Sequence, residues 1–372
     1  MNLNYPDFFD FICRSPRDAG SKHNGKVRKQ IKKFLKDEKI SFESSPHRMK
    51  VWSVEKAPSV KIIFPFEKKL EALFVKRSVS IQGIARGKIK PAKEILTYET
   101  YLWQRLGVYD ENDKILFYLI GSEGAYWPQC LDSKREKTPY LMLAGDFFQE
   151  VKAGMSENPE MILEASFESK SRQATIENIV ILPSENFNGV VFLAHLDSFY
   201  NSPGANDNGS GIYILLKLIQ NLQGHGFGFI FSDGEEYGKN GTELLIWKMK
   251  KEGTLSKIKK IVNIDSAGAG DHLYLCLDAK TLQEFEQNPP LSYQPSFPVH
   301  LYPHEDARQY DSWNFLKWGI SSVQIGAGSS FSREKKSFYH TPEDTLKNLD
   351  KNILEEAFRL ALSLGKYFSR KQ

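Results

Sequence analysis

The stretch VVFLAHLDSFYNSPGANDNGSG, Val190–Gly211, decides how this chain folds. Its opening residues are continuously apolar and rich in β-branched and aromatic side chains, which suits a strand covered on both faces of a sheet. His195 and Asp197 stand at the end of that run, before a loop of Ser, Pro, Gly and Asn that carries Asp207. Gly211 then opens IYILLKLI (Ile212–Ile219), which reads as a helix packed behind the strand. Polar residues of ligand type thus collect where a central strand ends, the place where open α/β sheets put their sites.

Outward from this stretch the pattern repeats. FGFIFS (Phe227–Ser232) precedes the helix-like TELLIWKMKKEG (Thr242–Gly253), and IVNID, LYLCL, VHLY and SSVQIG follow as further strands. DKNILEEAFRLALSLGKYF (Asp350–Phe368) closes the chain as an amphipathic helix with Asp350 at its N-cap. Toward the N-terminus, residues from Asp7 to about Phe42 read as two helices linked at Ser15–Gly25. Between Ser45 and about Ser166 the character changes to short apolar runs such as VKIIF and KILFYLIG, separated by turn formers, which predicts a β-rich module. The expected architecture is α/β: a mixed, mostly parallel central sheet flanked by helices, with a β-rich inserted domain. The boundaries read as 1–50 and 169–372 for a discontinuous main domain and 51–168 for the insert.

The bulk numbers narrow the function. At 372 residues, with 41% hydrophobic and 26% charged residues, the chain is an ordinary globular protein. Its 50 basic and 46 acidic residues leave a net charge of +4, which gives no support for a nucleic-acid or membrane partner. The basic run KVRKQIKKFLK (Lys26–Lys36) carries Val27, Ile31 and Leu35 at helical spacing and is read as a solvated helix face. The three cysteines, Cys13, Cys130 and Cys276, are too scattered for a disulfide framework or a Cys-based metal site. No apolar run approaches a membrane span. The N-terminus lacks the basic-then-apolar layout of a signal peptide. A cytoplasmic location is expected, or a secreted one where a leader precedes this sequence.

The remaining strand ends complete a constellation. FGFIFSDGEEYGKNG gives Glu235 and Glu236, IVNIDSAG gives Asp265, and the segment after SSVQIG leads to SFYHTPEDT and His340. One histidine or one Glu-Glu pair would mean little. Together, successive strand ends deliver His, Asp or Glu, the donors that zinc prefers. Two histidines and three carboxylates suffice for two metals if one carboxylate bridges, and Asp207, on a Gly/Pro-bounded loop, is placed to do so. Such pairs, about 3.5–4 Å apart, polarise a carbonyl and lower the pKa of a bound water. One of Glu235 and Glu236 would bind metal while its neighbour serves as general base. Asp197, two residues past His195, shares its face and could orient the imidazole.

These motifs, HLD, PGANDNGSG, EEYGKNG, NID and HTPEDT, resemble those of the M28 family of zinc aminopeptidases. YDSWNFLKWGISSVQI (Tyr310–Ile325) resembles that family's Ser-Asp-His segment before the last strand, and ICRSPRDAGSKHNGKVRKQIKKFLKDE resembles its two-helix lead-in. The resemblance implies a zinc-exopeptidase (phosphorylase/hydrolase-like) fold and two zinc ions on His195, Asp207, Glu236, Asp265 and His340, with Asp207 bridging. It also implies Glu235 as general base, Asp197 as the orienter of His195, and peptides with a free N-terminus as substrates. The family's Ser-Asp-His triplet reads Tyr310-Asp311-Ser312 here, which puts the substrate pocket rather than the ligand set in question. The middle segment is similar to the protease-associated insert of some members and is expected to limit substrate size or to support a homodimer.

Two other readings compete. A glutaminyl-cyclase-like acyltransferase on the same fold works with a single zinc, which retention of both His195 and Asp265 disfavours. A non-catalytic binding module would have lost ligands. Phe331, Phe338 and Tyr339 suggest an apolar side-chain pocket, with loop packing an equal alternative, and Cys276 in its apolar strand reads as a core residue.

Overall fold

The computed structural model describes residues 5–92, 96–98, 101–121, 137–143, 145–287, 294–329 and 338–370. Cys130 and Phe331 lie outside them. The described residues up to Met49 and from Gln173 onward form one compact unit, and those from Lys50 to Arg172 form another.

The first unit opens with helices α1 (Tyr5–Cys13) and α2 (Lys22–Asp37). Ser21 caps α2, its Oγ accepting the Asn24 N–H at 3.1 Å. Strand β1 (Ile162–Ile181) enters the unit at its C-terminal half, followed by β2 (Val190–His195), α3 (Gly211–Leu222), β3 (Gly228–Ser232) and α4 (Asn240–Lys251). Next come β4 (Lys260–Ile264), β5 (His272–Leu277), α5 (Ala279–Gln287), β6 (Val299–Pro303), α6 (Ser312–Lys317), β7 (Ser321–Gly328) and α7 (Lys351–Arg370).

In this unit the strands stand in the order β6-β5-β7-β4-β2-β3-β1. Strands β7, β4, β2 and β3 are parallel neighbours, while β1 pairs antiparallel with β3, and β5 with β7. From β2 the chain goes first to β3 on one side and then to β4 on the other, so the strand order reverses at β2. The carboxyl ends beside such a switch point face an open crevice.

Alternation along β2 explains why it is buried throughout. Val190, Phe192 and Ala194 pack into a core with α2, α3 and α7, including Ile31, Leu215 and Leu364. Val191 and Leu193 point the other way, into a cluster with Leu245, Ile246 and Met249 of α4 and Phe315 of α6. Helices therefore cover both faces, as the uninterrupted apolar run requires.

The second unit is mostly antiparallel. Ile81–Pro91 pairs with Tyr101–Tyr109, which pairs with Ile115–Gly121, and Ala72–Phe74 pairs with Tyr140–Leu143. The helix Gly145–Glu157 accompanies them. Trp52 centres its core, with ring centroids 5.6 Å from Phe74 and 6.2 Å from Phe167. Among the described residues of the whole chain, no helix is long and apolar enough to cross a membrane.

Candidate metal centre

The carboxyl ends of β2, β3 and β4, with the segment after β7, bring His195, Asp207, Glu236, Asp265 and His340 together. His195 is buried, and its Nε2 lies 3.1 Å from Asp207 Oδ1 and 3.4 Å from Asp265 Oδ2. The Nε2 of His340 lies 3.4 Å from Asp207 Oδ2 and 3.4 Å from Glu236 Oε2. Two groups result, His195/Asp207/Asp265 and Asp207/Glu236/His340, each with its ligand atoms within 4.8 Å of one another. Asp207 belongs to both and turns one oxygen toward each.

The loop before α3 is held in place from several elements. Gly204 has φ +62°, and a Cβ there would stand 2.3 Å from the Asp207 carbonyl, so only glycine fits the turn. Arg17, fully buried between α1 and α2, donates to the carbonyls of Leu196 (3.1 Å), Ile12 (3.3 Å), Gly204 (2.8 Å) and Pro203. The Asp344 carboxylate accepts the N–H groups of Asn206 at 2.7 Å and Asp207 at 3.0 Å. Asn208 donates to the Ile264 carbonyl at 2.8 Å, tying the loop to the end of β4 beside Asp265.

Asp197 does more than accompany His195. The nearest acceptor to His195 Nδ1 is the Asp197 backbone carbonyl at 3.0 Å, with the Asp197 carboxylate 3.6 Å away. That carboxylate accepts three successive backbone N–H groups, from Gly234 (2.9 Å), Glu235 (3.1 Å) and Glu236 (3.2 Å). It thereby shapes the tight turn that presents both glutamates, with Gly234 at φ +81°.

His340 sits between two rings, with centroids 3.9 Å from Phe199 and 3.7 Å from Tyr339. Its backbone is left-handed at φ +60°, a conformation that costs a non-glycine residue about 1 kcal/mol or more and that the surroundings impose. Tyr339 thus packs on a site residue, and Phe338 is an exposed neighbour. Of the altered triplet, Tyr310 Oη lies 2.7 Å from Tyr274 Oη. Asp311 accepts the hydroxyls of Ser232 (2.5 Å) and Thr242 (2.6 Å), fixing the end of β3, and Ser312 is buried at the start of α6. Cys276 is buried in β5.

The electrostatics fit a cation. Burial pushes Glu235 well above the usual carboxylate range; His195 opposes this, whereas Asp311, Glu236 and Asp265 add to it. Burial likewise raises Asp265, opposed by His195 and reinforced by Asp207. Burial would raise Asp207 too, but the imidazoles of His195 and His340 outweigh it and hold the carboxyl below its ordinary range. For His195 burial works against the charged form, yet Asp265, Asp197 and Asp207 lift it well above the ordinary value. So many carboxylates in one buried place need positive charge, and two histidines with three carboxylates are a borderline-metal donor set. His195, Asp265, Glu236 and His340, sharing Asp207, would hold it.

A mixed α/β sheet covered by helices, with a His/Asp/Glu cluster at its switch point, is the frame of a metal-dependent hydrolase. Residues 178–365, about half the chain, match Peptidase family M28, and the chain belongs to that family. Aminopeptidase YwaD of Bacillus subtilis (strain 168) is 28% identical over 177 residues, covering 45% of this chain and 38% of that protein. A "Vacuolar membrane protease" of Kluyveromyces lactis is 23% identical over 272 residues, covering 69% of this chain and 27% of its own length. The matches thus span well under half the length of these curated relatives. Among solved structures, the Peptidase M28 precursor from Shewanella amazonensis SB2B superposes with a TM-score of 0.75 at 15% identity, covering 99% of this chain and 93% of its own. BSAP, a zinc aminopeptidase from Bacillus subtilis, gives 0.68 at 18% identity, covering 99% and 95%. At such identities these likenesses speak for the fold.

Proposed function

We propose that the chain is a dinuclear zinc-dependent aminopeptidase that hydrolyses the N-terminal residue from peptides. The observation that carries this is the sharing of Asp207 between two histidine–carboxylate groups, one oxygen toward each. Family membership and the printed names of the relatives, an aminopeptidase and a zinc aminopeptidase among them, support it. Zinc ions held by those residues would polarise the scissile carbonyl and acidify a bound water.

The chain's own residues do the rest. Glu235, whose burial and acidic neighbours raise its proton affinity, takes a proton from the attacking water and returns it to the leaving amine. Asp197 fixes the turn that aims Glu235 and Glu236. The substrate's free amine would be held near Asp265, beside the zinc that residue binds. Asp311 holds Ser232 at the end of β3, three residues before Glu235.

The test is a panel of aminoacyl-anilides and their N-acetylated forms against metal-loaded protein, together with zinc counted per chain. Cleavage of free but not blocked substrates, with two zinc ions, is expected. Cleavage of blocked substrates overturns the exopeptidase assignment, and one zinc with cyclising activity overturns the dinuclear one.

A further inference from the structure

Helix α4 buries Thr242, Leu245, Ile246 and Met249, and Trp247 points off that stripe with 54% of its surface exposed. Its ring meets Trp318 edge-on, with centroids 5.2 Å apart and planes at 81°. Lys250 holds its ammonium 4.2 Å from the centre of the Trp318 ring and 5.6 Å from that of Trp247. An open concavity runs past the pair, lined by Trp247, Lys248, Lys250, Lys251 and Glu252. Exposed Lys257 and Lys259 follow on the adjoining turn, and exposed Lys317 ends α6, which packs on α4. On the acidic side, Glu252 pairs with Lys248 at 3.7 Å, Lys248 also pairs with Glu43, and Glu243 is exposed on α4. The face is therefore strongly basic around two amphipathic rings, a local excess that the whole-chain charge of +4 averages away.

We propose that this face docks the protein peripherally on an anionic lipid surface. Trp247 and Trp318 sit at headgroup depth, and Lys250, Lys251, Lys257 and Lys317 meet the lipid anions. Indole rings favour the interface between water and hydrocarbon, and each lysine near an anionic leaflet adds attraction that falls off within a Debye length. Charge decides among occupants. A second copy would set this basic face against itself across a twofold axis. Single-stranded nucleic acid stacks successive bases on several open rings, and with the Lys250 ammonium over the face of Trp318 only Trp247 is left.

The experiment is co-sedimentation of the full chain with phosphatidylcholine vesicles, with or without about one third phosphatidylserine, at rising salt. Heparin and single-stranded DNA serve as competitors, and tryptophan emission is recorded. Binding to the anionic vesicles only, weakened by salt and accompanied by a blue shift, is expected. Lys250→Glu with Lys251→Glu should weaken partitioning roughly tenfold or more. Trp247→Ala should remove most of the blue shift, with thermal melting and peptidase activity of both variants unchanged. Equal binding to both vesicle types, or binding to neither, overturns the proposal. So does heparin or DNA binding that these variants abolish while lipid binding stays absent.

Discussion

The carboxylate of Asp197 accepts the backbone N–H of Gly234 at 2.9 Å, joining the end of one central strand to the turn that follows the next. The same carboxylate takes the N–H groups of Glu235 and Glu236. Asp197→Asn keeps one acceptor oxygen, enough for Gly234 and Glu235, but turns an amide NH2 against the Glu236 N–H, two donors facing each other. Losses of about 10–100-fold in zinc affinity or in kcat are expected. Zinc titration alongside kinetics checks this, and a variant with wild-type values for both would remove Asp197 from the positioning of the site.

Glu235→Gln separates chemistry from assembly. The amide keeps size and hydrogen-bonding capacity but cannot take a proton. Turnover should fall by about 10²–10⁴-fold while zinc content and KM hold. Substantial residual turnover in zinc-loaded protein would move the general base elsewhere.

Arg17 is fully buried, and the partners of its guanidinium in the loop are main-chain carbonyls. Arg17→Met leaves those carbonyls buried without their donor, at a cost of about 3 kcal/mol. Thermal unfolding should shift down by roughly 6–12 °C. Arg17→Lys should recover little, since an ammonium cannot reproduce the planar fork. An unshifted melting curve for Arg17→Met would show that the loop holds itself.

Acid stability is expected to depend on a second cluster, at the start of β4. Lys260 donates to Asp278 at 3.1 Å, Thr281 at 2.8 Å and Ser321 at 2.6 Å. Burial alone would raise Asp278, but the Lys260 ammonium and the Ser321 and Thr281 donors outweigh it and bring the carboxyl down from 3.8 to about 2. The folded state therefore binds this proton less readily than the unfolded chain. The resulting stability, about 2 kcal/mol, is full above pH ~4 and is lost as pH falls toward 2. Urea midpoints measured across that window should fall less steeply for Asp278→Asn, and parallel slopes would count against the pair.

Legibility tracked the kind of partner each residue has. That His195, Asp207, the Glu235–Glu236 pair, Asp265 and His340 gather in one place was readable because each is a ligand-type side chain set at an apolar strand end or in a punctuated loop, while the choice of Glu236 over Glu235 as the ligand rested on the family resemblance. The strand β2 was readable because covering both faces leaves no room for polar alternation. Arg17 and Asp344 were not, since their main partners are backbone carbonyls and amides, which any residue offers and no motif records. Asp197 was readable only in part. Its spacing from His195 suggested the ring as its partner, but the three amides it accepts come from a turn 37 to 39 residues farther on. Asp311 was visible as part of an altered triplet, whereas its hold on Ser232 and Thr242 depends on the packing of α4 and α6 beside β3.

The loop that carries Asp207 takes its restraints from both directions along the sequence: Arg17 reaches Gly204 across 187 residues, and Asp344 reaches Asp207 across 137. During synthesis the ribosome releases these parts in order, so the loop emerges long after one clamp and long before the other. A nascent chain that has not yet released Asp344 and His340 has most of its central sheet but lacks a finished site. The centre therefore cannot be complete until the chain through Asp344 has been made.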